Sequence, residues 1–431
     1  MQLSASVPPA IATQGSPRTR AGPPRRSRAP GRVHAARRDA DRAVRVEDAA
    51  RTAAGRVMAA VLAATITAGS VAPAAEAVLN SPNARIARRV DVALRRSTPA
   101  FNERVKEAQD ILEELAFLLR IPQRKPWSDM YKNILAAAKL AADTPAMLYG
   151  VPTDNKSVEL ANKYLADAVD CIDRAASAIQ AKSPDQTSRY VQAALSNIAQ
   201  LELLQAPGLP FQVPVKYRQY PILTGRAVVE MTLKRSPRNA DLPFTNYATG
   251  ARSDTASVEI TVDGYSAPVS GGAFVSAVLD KKWEGQTLEI PPGPSVFVGK
   301  DMGNRIPLEI LPIGGFEPEY GSPLEVADGE LPVLPLSNFG AVAMSRPFNA
   351  EQSEVSSDQF FIYLFDQGQA GLSGLSFDEG QFGVLGYVTG GDGDPESLMK
   401  QVQPGDEIIS MKIISGRDRL FRPQKAEDQV G

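Results

Sequence analysis

Side chains able to do nucleophilic or metal chemistry are scarce in this chain, and that scarcity narrows its function first. Cys171 is the single cysteine and His34 the single histidine among 431 residues. A lone thiol forms no intrachain disulfide. His34 lies in an N-terminal stretch that reads as a removable leader, so a processed chain has no imidazole. Ser-His-Asp and Cys-His nucleophile systems then fall away, as does any histidine-ligated metal site. No metal and no cofactor is expected. Interest passes to three short apolar segments near the C-terminus: Gly340-Ala-Val-Ala-Met344, Ser357-Asp-Gln-Phe-Phe-Ile-Tyr363 and Asp378-Glu-Gly-Gln-Phe-Gly-Val-Leu-Gly-Tyr-Val388. Gln359 and Phe361 are two apart on the middle segment, so an amide and an aromatic ring leave the same strand face. Two phenylalanines on an apolar strand are usually core, so this pair alone assigns nothing.

Length leaves room for two ordinary domains behind a leader. Residues 1–77 hold twelve Arg, no Lys and five acids, which leaves 35 basic against 44 acidic residues from 78 onward, a net charge of −9. So acidic a body argues against nucleic acid as the main partner, since phosphate binding needs clustered Lys and Arg. The first 38 residues lack acids and are rich in Arg, Ala, Pro and Ser, the composition of a transit peptide. A second signal follows. Arg51 and Arg56 precede the apolar run Val57–Ala68, and Ala75-Glu-Ala77 has the small-residue cleavage pattern. The run is too short to span a bilayer, and nothing after the leader reaches the roughly 20 apolar residues a span requires. A basic transit segment before an export signal reads as a bipartite precursor for the chloroplast thylakoid lumen over 1–77. One long secretory signal is the alternative, and Arg37-Arg38 is a poor twin-arginine match because Asp39 follows directly.

Residues 83–205 show helical spacing, with stripes predicted along Phe101–Leu119, from Ser128 to Leu140, along Ser157–Ala181 and from Ser183 to Gln205. Ser128 could cap the second helix. Ser183-Pro-Asp-Gln186 reads as a capping box with proline at the first helical position. Short loops join these into an antiparallel four-helix bundle without the Glu-x-x-His element of a di-metal site. Cys171 falls inside the third helix as a buried, inert thiol. A Pro-rich linker is predicted over 206–224, stiff enough that the flanking regions dock. From 225 to 420 the period becomes two. Strands are expected at Ala227–Leu233, Ala256–Val262, Thr287–Ile290, Ser295–Val298, Pro307–Leu311, Ala341–Met344, Phe360–Leu364, Phe382–Thr389 and Glu407–Ile414, with short helices around Phe274 and over Pro395–Lys400. Arg235–Thr255 reads as a polar surface insertion and 421–431 as a tail.

The region 225–420 resembles a divergent cyclophilin, and the chain as a whole resembles the multidomain thylakoid-lumen cyclophilin-type peptidyl-prolyl cis-trans isomerases. The segments that carry the likeness are Leu119–Pro126, Leu201–Gln205, Val262–Pro268, Asp328–Pro335 and Ser376–Phe382, together with the three quoted above. The resemblance implies an α+β chain of two domains: an N-terminal antiparallel helical bundle followed by a cyclophilin-like closed antiparallel β-barrel with two end helices. It implies a proline-binding pocket containing Gln359, Phe361, Ser345, Arg346, Phe377 and Phe382. It implies, too, an arginine whose guanidinium donates to the prolyl nitrogen as the amide twists. That donation stabilises the transition state over the planar amide, whose barrier is about 18–20 kcal/mol. Here the tripeptide that carries the arginine aligns with Leu288-Glu-Ile290, and Pro291-Pro-Gly-Pro294 follows. Ile290 therefore stands at the expected arginine, and Arg346 is the substitute to consider, ahead of Arg305.

Two functions are thus expected. In one, the chain is a lumenal isomerase acting on proline-containing polypeptides during protein folding or photosystem assembly, with weak or lost turnover. In the other, it is a non-catalytic scaffold that holds thylakoid membrane protein complexes through its helical region.

Overall fold

The computed structural model describes residues 86–121, 125–365 and 375–423. The expected leader, the first residues of the helical region and the end of the tail lie outside the described residues. Every element described below belongs to one compact unit.

Five helices of eight residues or more come first: α1 Val90–Ser97, α2 Glu103–Leu118, α3 Trp127–Ala141, α4 Asn155–Gln180 and α5 Pro184–Gln205. A single turn, Thr144–Met147, lies between α3 and α4. Helices α2 to α5 pack around one apolar cluster, with Leu112, Ile134, Ile172 and Leu195 fully buried. Alanines 108, 137, 168 and 194 on the same faces keep the interhelical gaps small. The caps differ from expectation. Asn102 caps α2 by accepting from the amides of Arg104 and Val105, and Asp154 caps α4 through Ser157. Helix α3 begins at Trp127, so Ser128 lies inside it, and Ser183 makes no side-chain cap bond. At Ser183 the carbonyl takes both the amide and the hydroxyl of Thr187, after a turn forced tight by Lys182 at φ +51°.

The second region is built around one seven-stranded antiparallel sheet, with four two-stranded pairs beside it among the described residues. The strands of the large sheet are β1 Arg226–Lys234, β2 Thr255–Asp263, β3 Ser295–Gly299, β4 Ala341–Met344, β5 Gln359–Tyr363, β6 Val384–Gly391 and β7 Glu407–Ser415. The order across it is β7-β1-β2-β6-β4-β5-β3. Along β1 and β2 burial alternates strictly, which sends Val229, Met231, Val258 and Ile260 inward. Two helices, α6 Pro268–Leu279 and α7 Pro395–Met399, complete the region. Phe274 of α6, Trp283 and Phe360 meet inside at ring separations of 4.7 to 5.1 Å.

The sheet curls into a half-barrel with edges at β7 and β3. The expected strand at Thr287–Ile290 forms only isolated bridges. On one side Leu288 donates to the Asp406 carbonyl at 2.7 Å and Ile408 donates to Gln286 at 2.9 Å; on the other Glu289 and Phe297 exchange bonds of 3.0 and 2.8 Å. Pro291, Pro292 and Pro294 remove the amides that a longer ladder would use.

Helix α1 was not expected. It lies on the outer face of the sheet, where Ala93 and Leu94 join Leu336, Ala341 and Tyr387 in a separate apolar cluster. Arg226, at the start of β1, donates to the Leu94 carbonyl and to the hydroxyls of Ser97 and Thr98 while paired with Asp263. Arg95 and Arg96 of the same helix pair with Glu113 of α2.

Candidate functional site

The outer face of β3, β4 and β5 holds the residues singled out by sequence. Strand register fixes a transverse row there. Glu289 is bridged to Phe297, Phe297 is opposite Phe361, Phe361 is opposite Ala343, and Ala343 is opposite Val384. Directly opposed residues of antiparallel strands share a face, so these five side chains leave the sheet on one side. Phe360, one residue away, points into the inner core.

Gln359 and Phe361 share this outer face, but the two are held differently. The Gln359 amide is held at both ends: Nε2 donates to the Gly299 carbonyl at 3.1 Å and Oε1 accepts from Ser345 Oγ at 2.7 Å. Gly299 has φ +84°, and a Cβ there would lie 2.4 Å from the Asp358 carbonyl, so only glycine lets β3 approach β5 this closely. Just before β5, the Asp358 carboxylate is buried and takes bonds from Lys282, from the amides of Met302 and Asn304, and from the Asn304 side chain. Burial alone would raise its pKa, but these donors hold it below the usual carboxylate range.

Phe361 is only 3% exposed. The ring of Phe382 meets it edge-on at 5.1 Å, Phe297 lies at 5.6 Å and Tyr363 at 6.3 Å. Arg346 lies over Phe382 at 5.2 Å, and its Nη2 donates to the Gln381 carbonyl. Its Nε is buried without an acceptor among the described residues, and burial lowers its pKa. Arg305 is occupied elsewhere, bound through both terminal nitrogens to Asp301 at 2.5 and 3.0 Å.

Two expectations are corrected by this geometry. Phe377 does not join the cluster: it is fully exposed to solvent (107%). Its neighbour Ser376 is drawn inward, where its amide donates to Ser337 Oγ at 2.7 Å and its hydroxyl meets Tyr363 at 2.8 Å, and the turn throws the next side chain out. Ile290 does not face the site either. It packs against the inner core, as Leu288 does, whereas the bridge to Phe297 places Glu289 on the outer row. An acidic residue thus occupies the outer position on the segment where a guanidinium was sought. Phe297 was missed as a site residue, although Val296-Phe-Val298 already shows an aromatic alternating with two inward valines.

The structure therefore brings together Gln359, Phe361, Ser345, Arg346 and Phe382, and adds Phe297 and Glu289. Such a cluster holds aromatic walls, a fixed amide and one partly unsatisfied guanidinium. It has no group suited to covalent attack, and no cluster of three metal-ligating side chains occurs among the described residues.

Comparison with known proteins places this arrangement. Residues 90–204 match a family model described as the PsbQ-like domain of CYP38-like peptidyl-prolyl cis-trans isomerase. The chain is 42% identical over 355 residues to the chloroplastic peptidyl-prolyl cis-trans isomerase CYP37 of Arabidopsis thaliana, covering 81% of this chain and 74% of that one. The chain belongs to the chloroplast and thylakoid-lumen peptidyl-prolyl cis-trans isomerases. A Synechocystis protein, provisionally named a thylakoid lumen peptidyl-prolyl cis-trans isomerase, is 32% identical over 76% of this chain and 82% of its own length. Chloroplastic CYP38 of Arabidopsis thaliana is 26% identical over 77% of this chain and 75% of its own. These isomerase relatives extend well past the helical match at 90–204, so the likeness takes in the sheet that carries Phe361.

Proposed function

We propose that this chain is a thylakoid-lumen peptidyl-prolyl isomerase of weak turnover that assists the folding or assembly of lumenal and photosystem proteins. Gln359, Phe361, Ser345, Arg346 and Phe382 form its proline seat. The single observation that carries the reading is the burial of Phe361 beneath Phe382. A prolyl ring can reach Phe361 only when Phe382 swings aside, and no guanidinium on the Glu289–Phe361 row then waits for the prolyl nitrogen. Arg346 is the one cation at the rim among the described residues, with Nη2 bonded to the Gln381 carbonyl and Nε buried and unpaired. We further propose that residues 286–290 act as an eighth strand that closes the barrel, supported by their bonds to both sheet edges, and that the helical region 83–205 and the barrel 225–420 are separate domains joined by 206–224.

The acidic residue on the outer row also favours a second reading, in which the barrel is a silent scaffold and the helical region holds a membrane-complex partner. A protease-free isomerisation assay on a proline tetrapeptide separates the two. Weak isomerase action gives a wild-type rate above the uncatalysed one, lost on Arg346→Ala. A rate equal to the uncatalysed one removes the enzymatic reading. Co-purification with thylakoid complexes that survives Phe361→Ala then supports the scaffold. In the same assay Glu289→Arg, which returns a guanidinium to the row, is expected to raise kcat/KM by about tenfold or more, equivalent to roughly 1.4 kcal/mol of transition-state stabilisation.

A further inference from the structure

The insertion Arg235–Thr255 builds a second pocket at the far end of the β1–β2 hairpin. Sequence read it as a polar surface loop, yet its base is buried. Arg235 donates to Asp406 at 2.6 Å and to the Gln401 carbonyl at 3.0 Å, and its guanidinium lies 3.7 Å from the centre of the Phe244 ring. Phe244–Thr245 and Arg252–Ser253 then pair as a small hairpin. That hairpin is tied to the α7 region at three points: Thr245 exchanges two bonds with the Gln401 side chain, at 2.7 and 3.0 Å, and Asn246 donates to the Asp392 carbonyl. The space left between hairpin and helix is a pocket of about 260 Å³. Its floor is Phe244, Ala256 and Leu398, all buried, and its walls include Ala248 and Ala251.

Two carboxylates stand at this pocket. Asp392 Oδ2 accepts from the Ser257 amide at 2.7 Å, and Asp394 Oδ2 caps α7 through the Ser397 amide at 2.8 Å and hydroxyl at 2.6 Å. In each, Oδ1 accepts no hydrogen bond among the described residues, and neither carboxylate lies within ion-pair distance of a described cation; the nearby Lys400 pairs with Glu396. The volume exceeds the roughly 150 Å³ that encloses a benzene ring, and falls below the roughly 300 Å³ at which drug-sized ligand sites begin. A single side chain is the occupant of matching size, and the two acids select a cation beside it.

We propose that this pocket takes an apolar side chain of a partner polypeptide whose adjacent residue is Lys or Arg, the cation resting against Asp392 and Asp394. The site is fixed in advance by the hairpin contacts, so little ordering opposes binding. It is independent of the Phe361 notch, and its failure leaves the isomerase reading untouched.

The test is a titration of the full chain with two capped tetrapeptides, Gly-Leu-Arg-Gly and Gly-Leu-Glu-Gly, read by NMR at the methyls of Ala248, Ala251 and Ala256. The arginine peptide is expected to shift these methyls with a Kd at least about fivefold tighter than the glutamate peptide. The double variant Asp392→Asn with Asp394→Asn keeps both side-chain acceptors, and is expected to bring the two affinities together. Ala251→Trp fills the pocket from an exposed position and is expected to abolish the shifts at an unchanged melting temperature. Absence of shifts at 10 mM peptide in the wild type, equal binding of the two peptides, or binding that survives Ala251→Trp would each overturn the proposal.

Discussion

Phe360 and Phe361 are neighbours on one strand, and both are buried, yet they are buried by different means. Phe360 is enclosed by Phe274 and Trp283, rings supplied by α6 and the loop after it, inside a cluster that runs through the whole sheet. Phe361 is enclosed by Phe297 and Phe382, rings that belong to the outer surface. Inner burial is a condition of folding. Outer burial is local, and it falls on the residues proposed above to seat proline. Adjacent residues of one strand can thus be buried by separate parts of the molecule, one by the inner core and one by a few surface rings.

If that contrast holds, Phe360→Ala should have the largest effect of the substitutions considered, about 3–5 kcal/mol lost from unfolding stability in denaturant titrations. A loss under about 1 kcal/mol would erase the distinction between the faces. The outer face also rests on Glu379, whose buried carboxylate accepts from the amides of Leu336 and Ser337 at 2.8 Å and from the Ser337 hydroxyl at 2.5 Å. Burial raises its pKa above the ordinary 4.5 despite those donors. The folded state then binds the proton more tightly than the unfolded state. Its contribution is complete below about pH 4.5 and is lost as pH rises through the raised folded value. Thermal melts of Glu379→Gln should therefore show a flatter decline above pH 4.5 than the wild type. An identical slope would mean that Glu379 titrates as if exposed. Ser345→Ala, which frees Gln359 Oε1, should have the smallest effect on stability, about 1 kcal/mol or less. A larger loss would show that the amide lock is part of the core.

Much of this contrast is visible in sequence because a strand has period two. Strand β4 at Ala341–Met344 falls where the short apolar run places it, and the shared face of Gln359 and Phe361 follows from spacing alone. Glu289 is different: its face is set by one bridge to Phe297, and a one-residue slip exchanges it with Ile290. Phe377 escaped for a related reason, since Ser376 decides the direction of that turn through long-range bonds to Ser337 and Tyr363. Helix α1 is eight residues long with two arginines in its last turn, too short for a periodic stripe, and its stability comes from Arg226 and the sheet beneath it. The Ser183 capping pattern is present in sequence, but the tight turn at Lys182 leaves its hydroxyl unused as a cap.

Titration of the wild type and Phe382→Ala with the same proline tetrapeptide, followed through the Phe361 ring resonances, tests the proposed seat most directly. If Phe382 occupies the place proposed for the prolyl ring, the variant should bind at least about tenfold more tightly than the wild type, with the Phe361 signals shifting on binding. Equal affinities, with Phe361 responding alike in both proteins, would show that the notch is open in the native chain.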